Sequence, residues 1–232
     1  SIFAVKGGVA VELLMGEEAR ATKDLDAAVR ARAEQIESLL RNALARGWDG
    51  FSFRLVSWEP IHDTAAWRGD IKLQFKGQPF STVQFEAAPA EGDAGRGTQL
   101  VDNTLVDVAA LGLSPVGELP LVTLAYMLAQ KLHACTDHSL PNRENDRARD
   151  LIDILLVRRL LADDELPGVR RACVEIFRLR NKHPWPPSIT ILPEWPTIYA
   201  SELAKTPGFT PAEVEQAAAD VDRLIAEIDG AS

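Results

Sequence analysis

An α+β chain, with a mixed sheet in its first half and helices in its second, is what this sequence of 232 residues predicts. Three observations carry that expectation. Apolar residues alternate with polar ones between Phe53 and Glu86, the period of half-buried strands. From Leu121 onward they recur at helical spacing. In the first 26 residues a strand-like run, a pair of glycines, a helix-like run and a second strand-like run follow one another.

The elements read in order as follows. Ile2 to Val5 is a short buried strand, interrupted by Lys6-Gly7-Gly8, and Val9 to Leu14 opens a helix. Arg20 to Asp26 is a second strand. Residues 30–46 form a helix, with Ala33, Ile36, Leu40 and Leu44 on one face and Gly47 at its end. Ile71, Leu73 and Phe75, then Val83 and Phe85, make a hairpin about the turn Gly77-Gln78-Pro79. Residues 89–97 are a loop.

The second half reads as an apolar helix from Leu121 to Ala134, a polar loop from Asp137 to Asp146 with Pro141, Asn142 and Asn145, and helices over 147–161 and 165–180. The Pro-rich stretch 184–196 reads as irregular, with a short strand at Ile189 to Leu192. Thr210, Pro211 and Glu213 form a start signal for a last helix that ends before Gly230. The division expected is a catalytic core over residues 1–115 and a helical region over 116–232 that completes the active site. Because Ser1-Ile2-Phe3 opens within structure, a further segment is expected before it.

Composition narrows the function classes. No long apolar run marks a membrane span, which leaves a cytoplasmic protein as the default. Two cysteines, Cys135 and Cys173, lie in apolar runs and read as packing residues rather than a disulfide framework or zinc site. The four histidines show no metal spacing, and His133 reads as a packing or capping residue. A net charge of −9 argues against broad nucleic-acid binding. Residues 131–182, however, hold 11 Lys/Arg against 9 Asp/Glu, and Arg143, Arg147, Arg149 and their neighbours there are candidates for guiding phosphates.

The chemistry begins at Asp24-Leu25-Asp26. On a strand, residues i and i+2 share a face, so two carboxylates converge and repel unless a cation lies between them. Mg²⁺ commonly takes one or two carboxylates together with phosphates and water. Gly7 and Gly8, at a strand-to-helix turn, allow a phosphate close approach to backbone N–H groups. Lys6 and Lys23 flank the two motifs as further candidates for binding the nucleotide. Glu86, on the hairpin face opposite Val83 and Phe85, is the candidate third carboxylate of a two-metal site, with Asp70 the alternative. Lys131 stands alone on an apolar helix and needs a negative partner, a role a triphosphate fills. Asp150 and Asp153 are three apart, hence on one helical face.

The order strand, Gly-Gly, helix, strand, DxD is the layout by which polymerase-β-type nucleotidyltransferases hold an NTP. Together with AQKLHA (129–134) and RARDLIDI (147–154), the segment KGGVAVELLMGEEARATKDLD (6–26) resembles the AbiEii/AbiGii nucleotidyltransferase toxins, which include MenT-type toxins. The resemblance implies a polymerase-β-like core, Mg²⁺ (or Mn²⁺) and an NTP as co-substrate, a cognate antitoxin as partner, and in some members transfer of nucleotides to the tRNA 3′ end. Carried onto this chain, it implies metal binding by Asp24 and Asp26, a nucleotide pocket at Gly7-Gly8, phosphate contact by Lys131, and completion of the site by Asp153 and Asp150. In this chain Ala27-Ala28 follows the acidic pair and a Gly-Gly stands where the superfamily often has Gly-Ser. A non-catalytic NTP-binding regulator and a metal-dependent nuclease are the two other classes the residues admit.

Overall fold

The computed structural model describes residues 2–19, 22–62, 64–95, 97–103, 106–138 and 146–231. The sequence-based readings at Arg20, Pro141, Asn142, Arg143 and Asn145 lie outside them. The chain divides into two compact units, Ser1–Leu14 with Thr22–Val122, and Met15–Ala21 with Thr123–Ser232.

The first unit is built on a mixed sheet. Strand β1 (Phe3–Lys6) runs directly into helix α1 (Gly7–Met15), with no break between them. Strand β2 (Asp24–Val29) pairs antiparallel with β1, and helix α2 (Ala33–Leu44) follows. Then come β3 (Phe51–Leu55), the two-residue β4 (Glu59–Pro60), and the hairpin of β5 (Trp67–Phe75) and β6 (Gln78–Pro89). Strands β7 (Thr98–Val101) and β8 (Leu119–Val122) complete the sheet, in the order β3-β5-β6-β2-β1-β8-β7 with β4 beside β5. Strand β2 is parallel to β6, and β1 to β8.

Alternation sorts this sheet into two faces. One carries Ala27, Val29, Leu55, Ile71, Phe85 and Ala87, which pack with Ile36 and Leu40 of α2 into a buried cluster. Ile36 and Leu40 are four apart, so both point inward from one side of the helix. Gly69 lies on this face because nothing larger fits: a Cβ there would collide with the Ser57 carbonyl and stand 2.8 Å from the Trp58 ring. The opposite face carries the polar residues of the same strands, among them Asp24, Asp26 and Glu86.

The second unit is helical. Helix α3 (Leu124–Thr136) packs on α4 (Ala148–Leu160) and α5 (Leu166–Arg180), and α6 (Trp195–Leu203) and α7 (Val214–Gly230) complete it. Helix α4 is buried almost all round, which is the signature of a central helix. Helix α5 ends at Asn181, whose φ of 49° is the left-handed conformation common after a last turn. Among the described residues no helix is long and apolar enough to cross a membrane.

Several elements differ from their sequence-based reading. The acidic pair opens β2 rather than closing it, and Glu86 sits within β6, which runs on to Pro89. Leu119–Val122 is a strand, and the helix starts after it at Leu124. No strand forms at Ile189–Leu192; the Ile189 N–H instead donates to Asp222 Oδ1 at 2.8 Å. Helix α6 was hidden by Pro196, which occupies its first turn where a missing N–H is harmless. Thr210 does not cap α7: the helix starts at Val214, and the Pro211 carbonyl accepts the Tyr199 hydroxyl at 2.7 Å.

Phe85→Ala should cost about 3–5 kcal/mol, because a buried ring is removed from the core cluster. Phe80→Ala, at a ring 65% exposed, should change stability by less than about 0.5 kcal/mol. Urea unfolding of both variants checks the pair, and equal effects would contradict the placement of Phe85 in the core.

Candidate functional site

The pairing register places four charged residues in one row across the first unit. Lys6 of β1 is opposite Asp26 of β2, Asp26 is opposite Glu86 of β6, and Glu86 is opposite Arg68 of β5. Residues opposite one another in a sheet point the same way, so the row lies on one face. Asp24 is on the same face, two residues before Asp26, opposite Gln84 and then Asp70.

Asp26 is held against the start of α1. A Cβ on Gly7 would collide with Asp26 Oδ2 and stand 2.9 Å from its Cγ, and Gly7 also has a φ of +70°. Only glycine meets both demands. The Gly-Gly turn and the acidic pair, 16 residues apart in sequence, are therefore neighbours in space. Gly8 packs on Thr22, whose Oγ1 would be 3.0 Å from an added Cβ. Lys23 is exposed immediately before β2.

Glu86 shares one of its carboxylate oxygens, Oε1, with Arg68. Arg68 Nε donates to its Oε1 at 2.7 Å and Arg68 Nη2 at 2.5 Å, a fork of charge-assisted bonds. Sequence reasoning missed Arg68, because a register shift between Leu73 and Gln74 places it, rather than Trp67, opposite Glu86. Among the described residues no three His, Cys, Asp or Glu side chains gather closely enough to enclose a metal ion. Asp24 and Asp26 supply two carboxylates, which fits Mg²⁺ when phosphates and water complete its shell.

In the second unit, Lys131 of α3 meets both acids of α4. Its Nζ is 2.6 Å from Asp153 Oδ2 and 3.1 Å from Asp150 Oδ1, and all three side chains are almost fully buried. The negative partner that Lys131 requires is thus supplied by the protein. Burial alone would push the Lys131 ammonium down, but the Asp153 and Asp150 charges outweigh it and hold its pKa above the ordinary value. Burial likewise works to raise Asp150, yet the charges of Lys131 and then Arg147 leave its pKa below the usual carboxylate value. Arg147 Nη1 lies 3.6 Å from Asp150 Oδ2.

The remaining candidates resolve as structural. Cys135 and Cys173 are buried, and burial pushes both thiols up, away from reactivity. His133 is buried edge-on to Phe177. His183 shares a 2.7 Å hydrogen bond with the Thr136 hydroxyl. Much of the predicted basic region is tied to carboxylates: Arg158 to Asp163 at 2.6 Å, Arg159 to Glu18 at 3.6 Å and Arg170 to Asp229 at 3.6 Å.

Residues 1–227 match the family model described as "Nucleotidyl transferase AbiEii toxin, Type IV TA system". Among solved structures, MenT4, a nucleotidyltransferase toxin from Mycobacterium tuberculosis H37Rv, superposes with a TM-score of 0.55 at 20% identity, over 99% of this chain and 83% of its own. That likeness shows a shared fold. The Megavirus polyadenylate synthase matches at 10% identity with a TM-score of 0.37, over 68% of this chain and 28% of its own, too distant to bear on the reading. No curated protein sequence matches the chain.

Lys131→Met should destabilise the protein by about 3–5 kcal/mol near neutral pH, because two buried carboxylates lose their cation. The depressed Asp150 pKa contributes stability that is present above the usual carboxylate range and lost as pH falls through the folded value. The raised Lys131 pKa contributes stability that is lost only in strong alkali. The gap between wild type and variant should therefore be widest at neutral pH and narrow in acid. Denaturant melts across pH check it, and a gap independent of pH would show that the charges are not coupled.

Proposed function

Because the chain belongs to the AbiEii family of nucleotidyltransferase toxins of type IV toxin–antitoxin systems, we propose that it moves an NMP from an NTP onto an RNA acceptor such as the tRNA 3′ end. The single observation that carries the site assignment is the seat of Asp26 against Gly7. It joins a phosphate-binding turn to a carboxylate pair, which is the combination a nucleotide with its metal ion needs.

Asp24 and Asp26 hold the ion, with Mg²⁺ the preferred candidate and Mn²⁺ the alternative. Bound there, the ion would stabilise charge on the transferring phosphoryl group and lower the pKa of the attacking hydroxyl. Gly7 and Gly8 let the triphosphate approach the first-turn N–H groups of α1, whose dipole favours negative charge. Glu86, opposite Asp26 and paired with Arg68 through Oε1, remains the candidate third carboxylate through Oε2. For the second unit, the family resemblance implies roles in activity for Lys131, Asp150 and Asp153; Lys131 is bound by the two carboxylates, so its contact with a phosphate requires that it exchange one of them.

A partner antitoxin follows from the family's class, and cytoplasmic action is the setting in which tRNA and NTP are available. The nuclease reading loses ground to the Gly7 turn, since cleavage of a phosphodiester needs no triphosphate seat.

Purified protein incubated with total tRNA, Mg²⁺ and each labelled NTP in turn should transfer label to RNA. Asp24→Ala and Asp26→Asn should lower that transfer by at least about 10²-fold while leaving the melting temperature near that of wild type. Near-full transfer by Asp24→Ala would refute the metal assignment. Label on no RNA with any NTP would refute the choice of acceptor.

A further inference from the structure

The polar face of the sheet continues past the acidic pair. One step along the strands from Asp24, Gln84 and Asp70 lies the next row: Thr82 of β6, Lys72 of β5 and Arg54 of β3. All three are exposed. Lys72 and Arg54 are directly opposite each other on antiparallel strands, an arrangement of like charges that destabilises a sheet. Neither makes an ion pair or hydrogen bond with another described residue. The side chains of other exposed cations, such as Arg30 and Arg46, are also without such a partner; what distinguishes Arg54 and Lys72 is that they stand opposite each other.

A repulsive, uncompensated pair on an open face is an unfavourable choice for stability alone. It becomes favourable when an anion lies across it. From the strand spacings, Lys72 is about 12 Å from Asp24, two strands over and two residues along. The pair lies at the end where β2 begins, which is also where α1 begins, because β1 runs antiparallel to β2.

We propose that Arg54 and Lys72 dock the sugar–phosphate backbone of the acceptor RNA, upstream of the end that receives the nucleotide. The assignment rests on the nucleotidyl-transfer reading and adds the surface that holds its second substrate. It also accounts for RNA binding by a chain whose net charge is −9: the positive charge is local, exposed and unneutralised, and the surrounding acidity limits binding elsewhere. Thr82, in the same row, offers a hydroxyl to the same backbone.

The test is fluorescence polarisation of a short labelled single-stranded RNA, titrated with the full chain at several salt concentrations. Arg54→Gln/Lys72→Gln should bind several-fold more weakly. Its log-affinity against log-salt slope should be shallower by about 1.4, or roughly 0.7 for each phosphate no longer neutralised. Arg30→Gln/Arg46→Gln, which removes the same charge from other exposed positions of the unit, should bind like wild type. Binding of a fluorescent ATP analogue should be unchanged in both, which also shows that they fold. An unaltered slope in Arg54→Gln/Lys72→Gln, an equal weakening in the second pair, or no RNA binding by wild type would overturn the docking assignment. Failure of wild type to bind the ATP analogue would instead overturn the nucleotidyl-transfer reading, so the two failures are separable.

Discussion

Asp26 occupies the space that any side chain at position 7 would need, and most of the first unit's arrangement serves that contact. The carboxylate is fixed by its place in β2, with β1 on one side and β6 on the other. Gly7 is fixed because β1 runs into α1 without a loop. Shifting β2 by one residue would send Asp26 to the core face, where Ala27 and Val29 now pack. The hydrophobic cluster under α2 therefore sets the position of the polar site: it holds the register, and the register aims the carboxylates.

The second unit solves a different problem. Helix α4 is buried on nearly every side, yet it carries Asp150 and Asp153 inward. Two carboxylates in such a place require a cation with good geometry, and Lys131 bridges both. A hydrophobic trio would pack there at less electrostatic cost.

Sequence made some of this legible and concealed the rest for identifiable reasons. The shared face of Asp24 and Asp26 follows from the strand period alone, and that of Asp150 and Asp153 from the helix period. The link between Gly7 and Asp26 follows from motif order, but the contact itself depends on pairing register. Arg68 was missed because its partner is set by the hairpin, whose register shifts between Leu73 and Gln74. Strand β8 was absorbed into a helix because Leu119 to Ala129 is apolar almost throughout, and a short buried run carries no period. The partners of Lys131 lie 19 and 22 residues away on another helix, beyond any local signal.

The strand order has a kinetic consequence. Residues of β1 pair with β8, whose Leu121 is opposite Val5, and β2 pairs with β6, whose Gln84 is opposite Asp24. Such pairings between distant parts of the chain form late, because each must first close a long loop. A nascent chain on the ribosome, with only its β1–α2 segment free, has no β6 to flank the acidic strand. The face that carries Asp24 and Asp26 cannot be completed before β6 has been made, so the order of synthesis sets the earliest point at which this part of the sheet can form.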